Sequence, residues 1–215
     1  MGKLFDINIT LMQHLNIIPE IDFDGKAADQ EDELDDKSKY AIDEVFNLSQ
    51  LFIDIIGHLL RKLPPPFQGG SVSSLPPSLD AASELVIFSS YLRLIETYDK
   101  ILRHMQVCCH QSGTYPASEY QLKLPGWSVG SFSVSSKSKT QSLFMVQLVE
   151  TMLTRLRDLI SELVVTPRAT YGYRGNWECF GGMSLVIVPD LALQAIRTRE
   201  SGTLHLVQQI KNALT

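Results

Sequence analysis

The sequence predicts a mainly α-helical single domain, a bundle in which two long antiparallel helices are joined by an irregular crossover. Two segments carry this prediction, Glu84 to Met105 and Ser142 to Ile160, where apolar residues recur at steps of three and four. Between them lies an insert rich in serine, glycine and proline, which is typical of a connection across the surface. Two helices of this length in a chain of 215 residues favour antiparallel packing.

The first predicted element is a short amphipathic helix over residues 4–18, which Pro19 is expected to end. The run from Glu20 to Asp36 holds nine acidic residues against one lysine, a net charge of −8 in a chain whose total is −5. Because Phe23 is the single aromatic residue in that run, we predict a mobile loop there. Residues 1–36 are therefore assigned to an N-terminal region. The apolar face of the helix consists of Leu4, Ile7, Leu11, Leu15 and Ile18.

A second helix is predicted from about Ser38, and the prolines at 64–66 are expected to stop it. Residues 64–78 contain five prolines and are predicted to be a surface linker. Ser78 or Asp80 is the expected N-cap of the third helix, which should run about 30 residues. The predicted core residues of the second helix are Ile42, Val45, Phe46, Phe52, Ile53, Ile56 and Leu60, and those of the third are Leu85, Phe88, Leu92, Ile95, Tyr98, Leu102 and Met105.

The fourth helix is predicted over about residues 140–165, after an insert at 111–139. Residues 166–184 are predicted to be irregular, and residues 185–188 to form a short strand. Pro189 suits the first turn of a final helix in which Gly202 is an expected break. The main domain is thus assigned to residues 37–215. Core residues of the fourth helix are Leu143, Val146, Val149, Leu153, Leu156, Ile160 and Leu163, and those of the last are Leu191, Ala195, Ile196, Leu206 and Ile210.

The charge pattern argues against direct reading of nucleic acid. Proteins that bind DNA neutralise phosphates with a basic face, and no cluster of lysine and arginine occurs along these helices. The longest apolar stretches fall short of the roughly 20 residues that span a bilayer, so no membrane contact is expected. The three cysteines, Cys108, Cys109 and Cys179, have no disulfide spacing and fit a reducing, intracellular compartment.

Gly126 to Gly130 reads G-W-S-V-G, the pattern of a serine nucleophile elbow. That chemistry needs a strand before Ser128 and a helix after it. Pro125 precedes the motif and an alternating stretch, Ser131 to Val134, follows it, so a packed insert is the favoured interpretation. We therefore identify no catalytic residues in the sequence, and a non-enzymatic role is favoured.

Cys108, Cys109 and His110 form the strongest candidate for a metal site. Adjacent residues on a helix point about 100° apart and do not readily share one metal. Structural zinc favours gaps of two to four residues between ligands, which are absent here. We therefore predict no metal and no cofactor, and expect the cysteines to pack as small apolar residues.

Leu124-Pro125 and Gly130-Ser131-Phe132 lie between the two long helices, and a helix led by Pro189 follows. Over about residues 80–213 this combination resembles the C-terminal regulatory domain of fungal zinc binuclear cluster transcription factors of the aflatoxin-regulator type. The resemblance implies a nuclear regulator of a secondary-metabolite gene cluster. Such factors read DNA through an N-terminal module of six cysteines on two zincs, whereas this chain has no cysteine before residue 108. A zinc-cluster partner would have to supply that module.

A second hypothesis belongs to another class of protein. A regulatory-type bundle that lost its DNA reader could serve in the cytoplasm as a cyclase-like natural-product enzyme or a metabolite-binding protein, because bundles hold apolar ligands between helices. The alternative role of the aromatic residues in the irregular segments is to close the core, and that role is favoured. The candidate contacts for a small metabolite or a protein partner are Trp127, Phe132, Tyr171, Tyr173 and Trp177.

Overall fold

The computed structural model describes residues 2–18, 42–62, 79, 81–110, 127–129, 132–134, 139–170 and 184–215, and the side chains within 2–18, 42–62, 79, 82–107, 139–164 and 191–215. Nearly all of these residues are helical, which confirms the mainly α bundle. In the described part of the chain, no helix has the length and apolar character needed to cross a bilayer. The elements are α1 Gly2–Ile17, α2 Ile42–Lys62, α3 Ala81–His110, β1 Trp127–Val129, β2 Phe132–Val134, α4 Lys139–Thr170 and α5 Ser184–Leu214.

The first two helices follow their sequence patterns. α1 ends at Ile17, two residues before Pro19, because proline disfavours a helical conformation in the residue before it. α2 carries acidic residues in its first turn and basic residues in its last, which complements the helix dipole. The predicted core positions of both helices are buried except Leu15 and Leu60, which are partly exposed.

α3 has the predicted length of 30 residues, but its buried face is wider than the predicted stripe. Leu85 is 42% exposed, which contradicts its assignment to the core. The reason is that α3 contacts α1 on one side and α5 on another, so the core residues centre on Tyr91, Leu94 and Tyr98. Leu85 lies at the edge of this buried face, on the side toward solvent. Phe88, Ile95, Tyr98, Leu102 and Met105 are buried as predicted, and Leu92 is partly buried.

α4 extends to Thr170, beyond the predicted end, and passes through Pro167. The helix continues for three residues beyond this proline, although residue 167 has no backbone N–H to donate to the preceding turn. Leu143 is 36% exposed and was wrongly assigned to the core, because it points away from the line of Val146, Val149 and Leu153. The remaining predicted core residues of α4 are buried.

α5 departs most from the prediction. The strand predicted over residues 185–188 is wrong, since the helix begins at Ser184 and Pro189 lies in its second turn rather than its first. Gly202 does not break the helix, because it is exposed and its neighbour Thr203 is fully buried, so packing offsets the cost of about 1 kcal/mol for the glycine. Leu191 and Ala195 are exposed, contrary to prediction, whereas Ile196, Leu206 and Ile210 are buried.

Side-chain contacts give the direction of the helices. Asn8 binds Ser89 and Ser90, and Lys100 binds the carbonyl oxygen of Leu15, so α1 and α3 are parallel. Tyr91 lies near Glu200 and Gln106 contacts Gln209, so α3 and α5 are parallel as well. α4 is antiparallel to α5, because Arg157 meets Glu200 whereas Glu150 meets Gln208. The predicted antiparallel relation of the two long helices, α3 and α4, follows.

The main packing partners are not the two long helices with each other. α3 packs most extensively on α5 and α1, and it touches α4 over a much smaller surface. α4 packs mainly on α2 and α5. α5, the element that the sequence predicted least well, is therefore the one that connects α3 with α4.

Candidate functional site

The five aromatic residues proposed as ligand or partner contacts are only partly described. Trp127 opens β1, where it is paired with Val134, and Phe132 opens β2, where it is paired with Val129. Their side chains, and Tyr171, Tyr173 and Trp177 altogether, lie outside the described residues. Their assignment to a binding site stays a prediction, as do the acidic loop, the linker and the two candidate caps of α3, which also lie outside.

The serine-nucleophile motif and the cysteines differ in how much of them the structure describes. Ser128 lies in β1, opposite Ser133 of β2, so a second strand and not a helix follows it. This arrangement differs from the strand–turn–helix of a nucleophile elbow. Cys108 and Cys109 lie in the last turn of α3, with side chains that are not described, and Cys179 is outside the described residues. Among the described residues, no group of three or more metal-ligating side chains is placed to hold a metal ion.

A polar cluster lies where α3, α4 and α5 meet, and we call Tyr91, Arg157 and Glu200 the three-helix cluster. Glu200 is 3% exposed, and Arg157 Nε donates to its Oε1 at 2.5 Å. A carboxylate buried to this degree needs such a partner, because an unpaired charge away from water is very costly. The cluster thereby fixes α4 against α5 at one position along both helices.

Tyr91 brings α3 into this cluster. Its ring is 1% exposed, and its buried hydroxyl has no hydrogen-bond partner in the described part of the molecule. Glu200 is close enough to act on it through its negative charge and through a weak hydrogen-bonding interaction, although the two groups fall short of regular hydrogen-bond geometry. Burial, and then the negative charge of Glu200, hold the pKa of the Tyr91 hydroxyl well above its usual range. The phenol therefore stays neutral and keeps its proton as an available donor beside a carboxylate.

A second buried contact joins α2 to α3. Ser49 Oγ donates to the carbonyl oxygen of Val45 at 2.7 Å and lies 2.6 Å from the Tyr98 hydroxyl. Because the single serine proton is used on Val45, the tyrosine hydroxyl must donate to Ser49. Burial raises the pKa of Tyr98, and the Ser49 contact offsets part of that rise. The Phe46 ring packs 5.8 Å from the Tyr98 ring, which adds an aromatic contact to the same junction.

α1 is attached to the bundle by polar contacts along one side. Asn8 Nδ2 donates to Ser89 Oγ and to Ser90 Oγ at 3.1 Å each, and Lys100 Nζ donates to the Leu15 carbonyl oxygen at 3.1 Å. These bonds hold α1 at a fixed position along α3. Below them, the inner apolar residues Leu4, Ile7 and Leu11 are at most 1% exposed.

The other side of α1 is apolar and exposed. Phe5, Ile9 and Met12 are 54%, 52% and 45% exposed, and their spacing of four and three residues aligns them along the helix. We call these three residues the outer stripe. Single exposed apolar residues are common, but an aligned set on one helix marks a surface suited to contact with another protein.

Sequence reasoning did not find the three-helix cluster. Arg157 lies off the predicted apolar face of α4, and Glu200 lies in the polar run Arg199 to Gly202, where nothing indicates burial. Tyr91 lies inside an apolar run and reads as an ordinary core residue. The outer stripe did have a signal, because Phe5, Ile9 and Met12 lie outside the predicted inner face of α1.

Sequence comparison relates the chain to fungal transcription factors. Over 169 residues, the chain is 32% identical to an isoflavipucine cluster transcription factor of Aspergillus terreus, which covers 74% of this chain. Over 239 residues, it is 26% identical to the C6 finger transcription factor fumR of Aspergillus fumigatus, which covers 97% of this chain. In both cases the match spans 38% of the relative's length. No solved structure matches the chain.

The match to a protein family is more extensive than either pairwise match. The CcsR C-terminal domain family matches residues 1–215, so it includes α1 as well as the segment from α3 to α5. This agrees with the resemblance to the C-terminal regulatory domains of fungal cluster transcription factors, and it extends that resemblance to the N-terminal helix. The chain belongs to the CcsR C-terminal domain family.

Proposed function

We propose that this chain regulates transcription of a fungal secondary-metabolite gene cluster, and that it acts in the nucleus. The observation that carries the proposal is the sequence relation to two proteins named as transcription factors, one of them the factor of an isoflavipucine cluster. Because the chain spans 38% of each relative's length, the activity of those whole proteins is extended to it only as a proposal.

In this proposal the chain works through contacts with protein or with a small metabolite, and a zinc-cluster partner reads the DNA. Its total charge of −5 and the net −8 between Glu20 and Asp36 oppose approach to a phosphate backbone. The contacts of α1 with α3, of α2 with α3 and of α4 with α5 give the bundle a defined arrangement of helices. A rigid helical surface of this kind suits recognition of another protein.

Removal of the gene tests the proposal directly. Transcripts of the neighbouring biosynthetic genes should change severalfold in the deletion strain, and the wild-type gene should restore them. A complementing gene that carries Ile53→Asp, which places a charge in a site only 2% exposed, should fail to restore them. Leu51→Asp, at the 41% exposed neighbour two residues away, is the matched control and should restore them. Unchanged transcripts in the deletion strain would refute the regulatory role.

The same strains separate regulation from catalysis or metabolite binding in the cytoplasm. A regulator alters transcripts and, through them, all products of the cluster together. A cyclase-like enzyme would leave transcripts unchanged, and one intermediate would accumulate in its absence. Purified protein that converts an intermediate in a cluster extract, with normal transcripts in the deletion strain, would favour the enzyme.

A further inference from the structure

α1 is apolar on two opposed faces, and the bundle uses only one of them. At 100° per residue, the centre of the inner face formed by Leu4, Ile7 and Leu11 lies about 130° from the centre of the outer stripe. The inner residues are at most 1% exposed, whereas the stripe residues are roughly half exposed. A helix that is apolar on both sides is typical of one that lies between two packed surfaces. The bundle provides one of those surfaces.

We propose that a second copy of this chain provides the other, with the two α1 helices antiparallel across a twofold axis near Ile9. The spacing of the stripe supports self-pairing. In an antiparallel pair centred between residues 8 and 9, Phe5 lies opposite Met12 of the partner subunit, and Ile9 lies beside Ile9 of the partner subunit. Phe5 and Met12 form a favourable ring–sulfur pair, and the twofold repeats that pair at the other end.

Charge also favours a second copy as the occupant. From Ile7 to Ile17, α1 contains no lysine, arginine, aspartate or glutamate, and depletion of charge is typical of the centre of a protein interface. Asp6 is the nearest acidic residue to the stripe. In the proposed pairing, the two copies of Asp6 are about 8 Å apart along the helix axis, a separation at which physiological salt screens repulsion. A nucleic acid or an anionic membrane would find no matching charge on this face.

The exposed area is sufficient for a stable dimer. Leu85 is 42% exposed and lies level with Phe5, because Asn8 binds Ser89 and Ser90 one turn further along both helices. Four half-exposed side chains of this size present roughly 400 Å² of apolar surface in each copy. About 60% of a typical interface is apolar, so 400 Å² of apolar surface corresponds to roughly 670 Å² of total surface in each copy. The two copies together would bury about 1,300 Å², which falls within the range of specific complexes. Leu85 then belongs to the same proposed interface as the outer stripe.

Sedimentation equilibrium of the purified full chain over a micromolar concentration series tests the pairing. We expect a monomer–dimer equilibrium in the wild type and at least a tenfold weaker association in Ile9→Asp, because the twofold brings the two new charges together. Leu191→Asp changes a residue that is 60% exposed on α5 and is the matched control, with association unchanged. A wild type that stays monomeric throughout, or a dimer that persists in Ile9→Asp, would overturn the proposal.

A mixing experiment identifies the occupant. Ile9→Asp and Ile9→Lys should each associate weakly alone, and an equimolar mixture should recover association, since opposite charges then meet at the axis. Both variants should retain the wild-type circular dichroism spectrum, because the changed side chain is exposed. If another segment of the same chain covers the stripe, both variants unfold at lower temperature and mixing recovers nothing, which also overturns the proposal. These measurements use purified protein, so they stand apart from the transcript test of regulatory function.

Discussion

Arg157 on α4 and Glu200 on α5 form an ion pair in which the two partners differ greatly in exposure. The Arg157 side chain is 43% exposed, whereas that of Glu200 is 4% exposed, and the donor nitrogen lies 2.5 Å from the carboxylate oxygen. Arginine therefore reaches from the surface to neutralise a charge inside the bundle, with its aliphatic stem covering part of the gap. The consequence is asymmetric, because loss of the arginine leaves a buried charge whereas loss of the carboxylate leaves a cation that water can reach.

Replacement of Arg157 by Met should lower the free energy of unfolding by about 2–3 kcal/mol, because Glu200 is left buried without its partner. Arg155→Met, at an exposed position two residues earlier, should change it by less than about 0.5 kcal/mol. The double variant Arg157→Met with Glu200→Gln should be more stable than Arg157→Met alone. Urea denaturation followed by circular dichroism measures all three. Equal destabilisation by the Arg155 and Arg157 variants would contradict the importance of the pair.

The contact between Ser49 and Tyr98 should respond unequally to the loss of each partner. Tyr98→Phe leaves Ser49 donating to Val45, so we expect a loss of about 1 kcal/mol in unfolding free energy. Ser49→Ala leaves the fully buried Tyr98 hydroxyl without an acceptor and should cost more, about 2 kcal/mol. The double variant should lose less than the sum of the two single losses. Chemical denaturation of the four proteins measures this cycle, and additive losses would show that the hydroxyls are not coupled.

The buried tyrosines make the fold sensitive to alkaline pH. The pKa values of Tyr91 and Tyr98 are raised in the folded state, so each contributes stability that is fully present below the unfolded pKa of about 10. Above that pH the unfolded chain loses the two protons first, and each tyrosine should reduce the unfolding free energy by up to about 1.4 kcal/mol per pH unit. Denaturation between pH 8 and 11 measures the slope.

Tyrosinate absorbance provides an independent check on the same two residues. Of the seven tyrosines in the chain, at least Tyr91 and Tyr98 should stay protonated until the protein unfolds. In the Tyr98→Phe variant, the unfolding free energy should fall less steeply above pH 10, because one of the two buried phenols no longer contributes to the slope. Full titration of all seven phenols in a folded protein at pH 11 would be inconsistent with the burial of these two hydroxyls.

The revised core of α3 can be tested with two neighbouring residues. Ile87 is fully buried and Leu85 is 42% exposed, although the sequence pattern placed Leu85 in the core. Ile87→Ala should lower the unfolding free energy by about 2–4 kcal/mol, and Leu85→Ala by well under 1 kcal/mol. Thermal denaturation of the monomeric Ile9→Asp background separates this comparison from any effect on dimerisation. A larger effect at Leu85 would restore the original assignment.

Duplex binding by the purified chain alone should be absent at physiological salt. The net charge of −5 and the acidic segment at residues 20–36 give the phosphate backbone little to bind, so no sequence-selective complex with upstream regions of the cluster is expected. Binding should appear only when a zinc-cluster partner is added. Fluorescence anisotropy with a scrambled duplex as control measures both cases, and tight selective binding by the lone protein would overturn the partner-dependent part of the proposed function.

The spacing of apolar residues predicted the helices because each helix turns an apolar face toward the core of the bundle. It identified Phe52, Tyr98 and Leu153 as buried, and these residues lie at the centre of the apolar faces of α2, α3 and α4. The low helix propensity of glycine gave a wrong prediction at Gly202, where an exposed glycine lies beside buried Thr203 and packing overrides the intrinsic preference. Glu200 could not be found, because its burial depends on Arg157 from another helix, and no pattern within one helix encodes a partner 43 residues away.

The parallel alignment of α1 and α3 has a consequence for how this fold tolerates change in length. Asn8 and Ser89 close a loop of 81 residues, and the entropy of closing such a loop depends only on the logarithm of its length. Doubling the number of residues between them would cost about 0.6 kcal/mol, less than a single core methylene. Insertions and deletions in the two connections, from α1 to α2 and from α2 to α3, are therefore thermodynamically cheap, provided that α2 itself is kept. A shift of one helical turn between α1 and α3, in contrast, would break the polar contacts of Asn8 and Leu15 with α3. Relatives built on this plan are free to diverge in their connecting segments while the alignment of these two helices is preserved.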